Sequence, residues 1–270
     1  MPREITALSS LSPKGDGNSR ADFFKKEGGM MAYRYFNQNN YANVPYPSPT
    51  LPNATVKSGG CGAVCASMIV SNLTDKIVDP VAMAAYAQKK RARVVGGTDM
   101  NILAKALCID YPLNYRTTND ENLLLSHLQK GGMAIANVGG NRPGYTGVFS
   151  DGGHYIVVAG LDSDGRVIVL DPGLYNGKFN KKGRKGKVAV RGNECLCDIS
   201  VLAQDTANRS PAYWLFERKV EEVPEWMKKI IDDALAVGLI TERHNPTEPA
   251  TKWFVLAIAL NLLKIVKGGR

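Results

Sequence analysis

The apolar positions of this chain change period once, near residue 132. Upstream they recur at helical spacing; downstream they alternate or run unbroken over short stretches, as strands do. Cys61 to Leu73, with Ala63, Val64, Ala66, Met68 and Ile69 between them, predicts a helix. Asp79-Pro80, an N-cap followed by a first-turn proline, opens a second helix to about Arg91. Thr98 or Asp99 caps a third, from Met100 to Cys108. Asn119 caps a fourth, Glu121 to Gln129, stopped by Gly131-Gly132. Strands follow at Met133 to Val138, His154 to Gly160, Arg166 to Asp171, and near 187–191 and 213–218. A glycine-rich loop runs from Gly139 to Gly153, and Leu161 to Gly165 turns one strand into the next. Helices first and antiparallel strands afterwards is an α+β pattern, with the helices packed on the sheet.

The ends differ from this middle. Residues 1–30 are polar and without apolar period, and no apolar run follows their early positive charge, so a secretory signal is not expected. Lys26-Glu27-Gly28-Gly29 before Met30-Met31 suits a translated ribosome-binding site, with a start at Met30 or Met31; a disordered arm is the alternative. Residues 33–58 are rich in Tyr, Asn and Pro; a short strand near 33–37 and an ordered loop are expected there. From Val223, Pro224 to Gly238 and Lys252 to Lys267 read as two amphipathic helices joined by a loop. Their apolar runs are too short for a membrane span of about 20 residues. The expected division is therefore 1–30 arm or leader, 31–220 main domain, 221–270 helical hairpin.

Charge and cysteine usage narrow the class. The 270 residues carry a formal net charge of +9, which suits an anionic partner but selects none. Lys178, Lys181, Lys182, Arg184, Lys185 and Lys187 cluster in a segment expected to be an exposed loop near Asp171. Only Phe179 interleaves with them, so nucleic acid is not expected. The odd count of five cysteines and the apolar settings of Cys65 and Cys108 point to a reducing compartment rather than a disulfide framework. Cys195-Leu196-Cys197 lacks the second pair a zinc site needs and reads as part of a strand.

The chemistry lies in one cysteine. Ser58-Gly59-Gly60 makes a tight turn into the first helix, so Cys61 sits at the helix start, where free N–H groups favour a thiolate. A thiolate nucleophile needs a base. Of the three histidines, His127 lies within a helix and His244 in a polar loop, whereas His154 begins an apolar strand. If Gly160 pairs with Gly165 or Arg166, His154 and Asp171 come opposite or nearly opposite one another. Asp171 would then orient the ring and free its other nitrogen as the base. Nucleophile, base and orienter are thus Cys61, His154 and Asp171.

The blocks Gly60 to Met68, Gly153 to Gly160 and Leu170-Asp171-Pro172 resemble the Cys, His and Asp blocks of the double-glycine (bacteriocin-processing) peptidase-like family, part of the papain-like superfamily. The resemblance covers roughly residues 33–218. It implies a papain-like fold, a cysteine endopeptidase, and no metal or organic cofactor. It also implies an oxyanion-hole glutamine, for which Gln38 in Tyr35-Phe36-Asn37-Gln38 is the candidate and Asn53 the fallback. Two departures stand out: Ala63 where the family usually has proline, and Gln38 far upstream of Cys61 beyond a proline-rich insertion. Stand-alone members similar to this chain occur in phage lysins. That implies peptidoglycan peptides or an anionic wall polymer as partner, synthesis in the cytoplasm and action at the wall. The C-terminal hairpin resembles, weakly, the surface-layer-homology-like modules of wall hydrolases; packing or homodimerisation is its alternative role, and stable membrane insertion is not expected. A leader-peptide or protein-processing protease, and a non-catalytic binding protein on the same scaffold, are the competing functions.

Overall fold

The computed structural model describes residues 33–219, 224–244 and 250–268. The expected arm or translated leader, residues 1–30, lies outside them. The chain divides into two compact units, Met1–Lys219 and Val220–Arg270.

In the first unit the α-helices are α1 (Val56–Gly59), α2 (Cys61–Leu73), α3 (Pro80–Lys89), α4 (Met100–Asp110), α5 (Glu121–Gln129) and α6 (Ile199–Thr206). The strands are β1 (Arg93–Val94), β2 (Gly97–Thr98), β3 (Leu113–Thr118), β4 (Met133–Val138), β5 (His154–Leu161), β6 (Val167–Leu170), β7 (Ala189–Arg191), β8 (Glu194–Cys197) and β9 (Tyr213–Arg218). β1 and β2 form a small ribbon. The other seven strands make one antiparallel sheet in the order β3-β9-β4-β5-β6-β8-β7. This is the α+β architecture read from the change of period.

The two-residue alternation of the strands builds two cores. Ile135, Val157, Ile168, Leu170, Leu196 and Trp214 join the α2–α4 helices in one. Ala136, Ile156, Val158, Val169, Cys195 and Leu215 join α5 and α6 in the other. Cys195 and Cys197 are therefore packing residues of the second core. Helix α2 is buried almost all round, from Gly62 to Val70 and again at Leu73, which explains its unbroken run of small and apolar residues.

Several expectations are corrected. Residues 33–37 form no strand; an extended segment leads instead into a 3₁₀ turn, Gln38–Tyr41, because its polar groups bond the loop after β6 rather than a neighbouring strand. Asp120, not Asn119, caps α5 by accepting from Asn122 N at 2.8 Å. Asn119 instead ties the start of β9, accepting from Ala212 N at 2.8 Å. β3 and α6 went unpredicted. β3 is an edge strand whose polar Asn-Tyr-Arg-Thr-Thr stretch carries little apolar signal.

In the second unit, α7 (Glu225–Ala236) ends at Gly238, which adopts the left-handed conformation that glycine supplies at helix C-termini. In α8 (Lys252–Gly268), Asn261 Nδ2 donates to Leu239 O at 3.1 Å, and His244 meets Phe254 edge to face. Trp226, Ile230, Trp253, Leu260 and Val266 of these helices are exposed. Among the described residues no helix is long and apolar enough to cross a membrane.

Candidate active site

Cys61 is the first residue of α2, and its neighbours are dictated by space. A Cβ at Gly60 would lie 2.6 Å from Val56 O, and one at Gly62 would lie 2.7 Å from Thr98 Cβ. The Gly-Cys-Gly triplet thus lets the Val56 backbone and the Thr98 side chain close on either side of the cysteine. The thiol is half-buried. Burial alone would push it up, but the His154 ring outweighs this by hydrogen bond and charge. The backbone N–H groups of Tyr155 and Gly62 add to that, so Cys61 ends below the ordinary thiol value. Cys65, one turn later on the same helix, has only burial and the nearby Cys61 and Asp171 charges. It is driven well above the ordinary value and is fully buried.

His154 opens β5, paired with Val138 of β4. The hairpin register differs from the expected one. Val157 pairs with Leu170, and Ala159 is an extra bulged residue before Gly160 pairs with Ile168. Continued outward, this places Gly173, not Asp171, opposite His154. The difference is two residues, which keeps Asp171 on the same face but makes it the diagonal neighbour. The ring spans the diagonal: His154 Nε2 donates to Asp171 Oδ1 at 2.9 Å. It does so over Gly173, where a Cβ would sit 3.3 Å from the ring's Cε1 and Nε2. The ring nitrogen not bonded to Asp171 is Nδ1. Burial opposes the imidazolium, but Asp171 and Cys61 raise His154 to about 9.

Asp171 is fully buried. Besides His154, its Oδ1 accepts from Gly173 N at 2.8 Å, and its Oδ2 accepts from the Lys178 ammonium. Burial would raise this carboxyl; the hydrogen bond and charge of His154, then Lys178, bring it down to about 2. The backbone around it is held by the 35–38 segment. Tyr35 Oη donates to Asp171 O at 2.8 Å, Gln38 N to Pro172 O at 2.7 Å and Asn37 Nδ2 to Leu174 O at 2.7 Å.

Cys61, His154 and Asp171 are therefore brought together. Gln38 lies beside them, but its side-chain Nε2 donates to Lys57 O at 2.8 Å, and its Oε1 is buried without a hydrogen-bond partner. Asn53 is in an exposed turn. His127 is structural: buried in α5, its Nε2–H donates to Phe216 O at 2.8 Å.

The basic segment is not the uniformly exposed loop expected. Lys178 is 5% exposed and Arg184 1%. Arg184 Nε donates to Gly147 O at 2.7 Å, and its Nη2 and Lys181 Nζ both meet Asp151, so this segment clamps the 139–153 loop. Buried Asp205 fixes the same loop by accepting from Val148 N, Phe149 N and Tyr145 Oη. Reading the sequence missed Lys178, Gly173 and Tyr35. The one local sign for Lys178 is Phe179, a lone apolar residue in a basic run. Phe179 packs edge to face on Phe149 and draws its neighbour inward. A cleft of about 580 Å³ opens beside this corner, lined by Tyr35, Asn37, Leu174, Lys178, Lys185 and Asn193; Cys61 and His154 do not line it.

The Peptidase_C39 like family matches residues 30–190. No curated protein sequence matches the chain. Among solved structures, a crystal structure assigned as a C39-like peptidase from Bacillus anthracis is similar. The two share 10% identity with a TM-score of 0.43, over 70% of this chain and 96% of that one. With the family match spanning more than half its length, the chain belongs to the Peptidase_C39-like family of cysteine peptidases.

Proposed function

We propose that the protein is a cysteine endopeptidase that cleaves peptide bonds of bacterial cell-wall peptidoglycan, as a phage or prophage endolysin. The observation that carries the chemistry is the 2.9 Å His154–Asp171 contact beside a cysteine at a helix start. In this reading the resting pair is Cys61 thiolate and His154 imidazolium, since one value is lowered and the other raised. Cys61 attacks the scissile carbonyl, and His154 gives its proton to the leaving amine. Neutral His154 then takes a proton from water, which hydrolyses the thioester; Asp171 keeps the ring oriented throughout. The oxyanion is held by the Cys61 N–H and by the Gln38 amide N–H not engaged with Lys57 O. Loss of either donor would slow acylation by about 10²-fold or more.

The wall assignment is supported by the net charge of +9, with Lys182 and Lys185 exposed, and by the resemblance of the Cys, His and Asp blocks to a family whose stand-alone members occur in phage lysins. The enzyme would then collect in the cytoplasm and act at the wall. Residues 31–220 would form the peptidase domain and 221–270 a wall-binding or dimerising module.

Digestion of purified walls by wild type and by Cys61→Ala, with mass analysis of the released fragments, tests this. Cys61-dependent release of peptide fragments is expected. Cleavage of a free Gly-Gly peptide without wall release would move the assignment to leader-peptide or protein processing. No Cys61-dependent cleavage of either would leave a binding protein on a peptidase scaffold.

A further inference from the structure

We propose that Lys178 is a fourth, positioning member of the catalytic array: it holds Asp171 on His154 and sets the pH window of the Cys61–His154 pair. The inference rests on the peptidase reading above and concerns a residue outside the Cys-His-Asp set.

A fully buried carboxylate must have both oxygens satisfied. Asp171 Oδ1 takes the His154 and Gly173 donors; among the described hydrogen bonds, Oδ2 takes the Lys178 ammonium alone. Lys178 is itself 5% exposed and is steadied by Gly173 O at 3.2 Å. Its backbone is fixed by a 3₁₀ turn, Lys178–Asn180, and by buried Phe179. Four groups therefore stand in a row with alternating charge: thiolate, imidazolium, carboxylate, ammonium. Their sum is zero.

That sum explains why a lysine is placed here. When His154 hands its proton to the leaving amine and Cys61 becomes a neutral thioester, the imidazolium and thiolate vanish together. Without Lys178, Asp171 would then remain a lone buried anion, a state of high cost. It would hold the imidazolium proton back. With Lys178, the remaining pair is still neutral, so the ring can release the proton. The other titratable groups facing the array are Tyr35 before the 3₁₀ turn Gln38–Tyr41, Tyr46 ahead of α1, Cys65 on α2, Tyr155 on β5 and Cys195 on β8. Burial pushes all five up, so they stay neutral across the working range.

The test is the rate of Cys61 alkylation by iodoacetamide as a function of pH, read by peptide mass analysis, alongside peptide hydrolysis. Removing a cation raises the pKa of every acid near it. Lys178→Met should therefore move both the thiolate step and the imidazolium step to higher pH by about one unit. Lys178→Arg, which keeps the charge, should leave them in place. A lysine that merely fills space predicts lower amplitude with both steps unmoved, and that result overturns the proposal. Should Lys178→Met fail to fold, Asp171→Asn and Asp171→Asn/Lys178→Met decide. The single variant leaves Lys178 unopposed and should shift both steps down; the neutral double should bring them back toward wild type. A double that stays with the single also overturns it. If wild-type Cys61 reacts no faster than a free thiol, the peptidase reading itself fails, whatever Lys178 does.

Discussion

His154 is gripped from two sides that are built differently. On one side stands α2, which presents Cys61 at its first turn; on the other, the irregular segment from Asp171 to Asn180 presents a carboxylate and a lysine. The helix side is made by local rules: glycines for the turn, free N–H groups for the thiolate, a run of small apolar residues to bury the rest. The loop side has no repeating backbone pattern. It is held by the 35–38 segment, more than 130 residues upstream, and by a buried ion pair. So function on the helix side should separate from stability, while on the loop side the two should fall together.

The largest contrast is between two truncations. Cys61→Ala removes a half-buried thiol and should abolish hydrolysis, by about 10⁴-fold or more, with little change in melting temperature. Asp171→Ala should also cost activity, by about 10²–10⁴-fold. In addition it leaves the Lys178 ammonium buried without its partner, a loss of about 3–5 kcal/mol in stability. Asp171→Ala/Lys178→Met should regain part of that stability and none of the activity. Chemical denaturation measures the first quantity and a peptide substrate the second. Equal stability loss for Cys61→Ala and Asp171→Ala would break the comparison.

The pH dependence sharpens it. Activity should be bell-shaped, with an acid limb below the ordinary thiol value and a basic limb near 9, where His154 loses its proton. Stability has its own signs. The raised His154 value contributes stability that is full below 6.5 and lost as pH rises through about 9. The depressed Asp171 value contributes stability present above 3.8 and lost as pH falls through about 2. Activity profiles across pH 4–10 and melting curves across pH 1.5–10 check both. An activity optimum confined above the ordinary thiol value would argue against the ion pair.

This contrast also decides what the sequence could tell. Helix α2, the cap Asp79, the Asp99 cap as one of two candidates, the strands from Met133 onward and Cys61 were legible because each rests on nearest neighbours in the chain. The pairing of His154 with Asp171 was legible only in kind. Gly160 pairs with Ile168, three residues beyond the expected Gly165, and the bulge at Ala159 takes one back, so the net shift is even and the face survived. Lys178 was illegible, since it looks like any other residue of a basic run until Phe179 and Asp171 are in place. Residues 33–37 misled because Tyr35 and Asn37 serve the far loop instead of a strand partner.

The smallest expected effect probes the diagonal itself. Gly173 lies in the corner that the His154 ring crosses to reach Asp171. A methyl there would stand 3.3 Å from Cε1 and Nε2, closer than carbon comfortably allows. The Gly173 N–H to Asp171 Oδ1 bond does not depend on the side chain and should persist in Gly173→Ala. The ring must then yield by a few tenths of an ångström while its carboxylate stays fixed. Because proton transfer is steep in distance and angle, that displacement should cost hydrolysis about tenfold, felt in kcat more than in KM, with folding barely changed. Alkylation of Cys61 should fall less than hydrolysis, since it needs the thiolate but no proton delivery to a leaving group. If Gly173→Ala were as active as wild type, the ring would have to reach Asp171 by another path, and the diagonal register would be wrong.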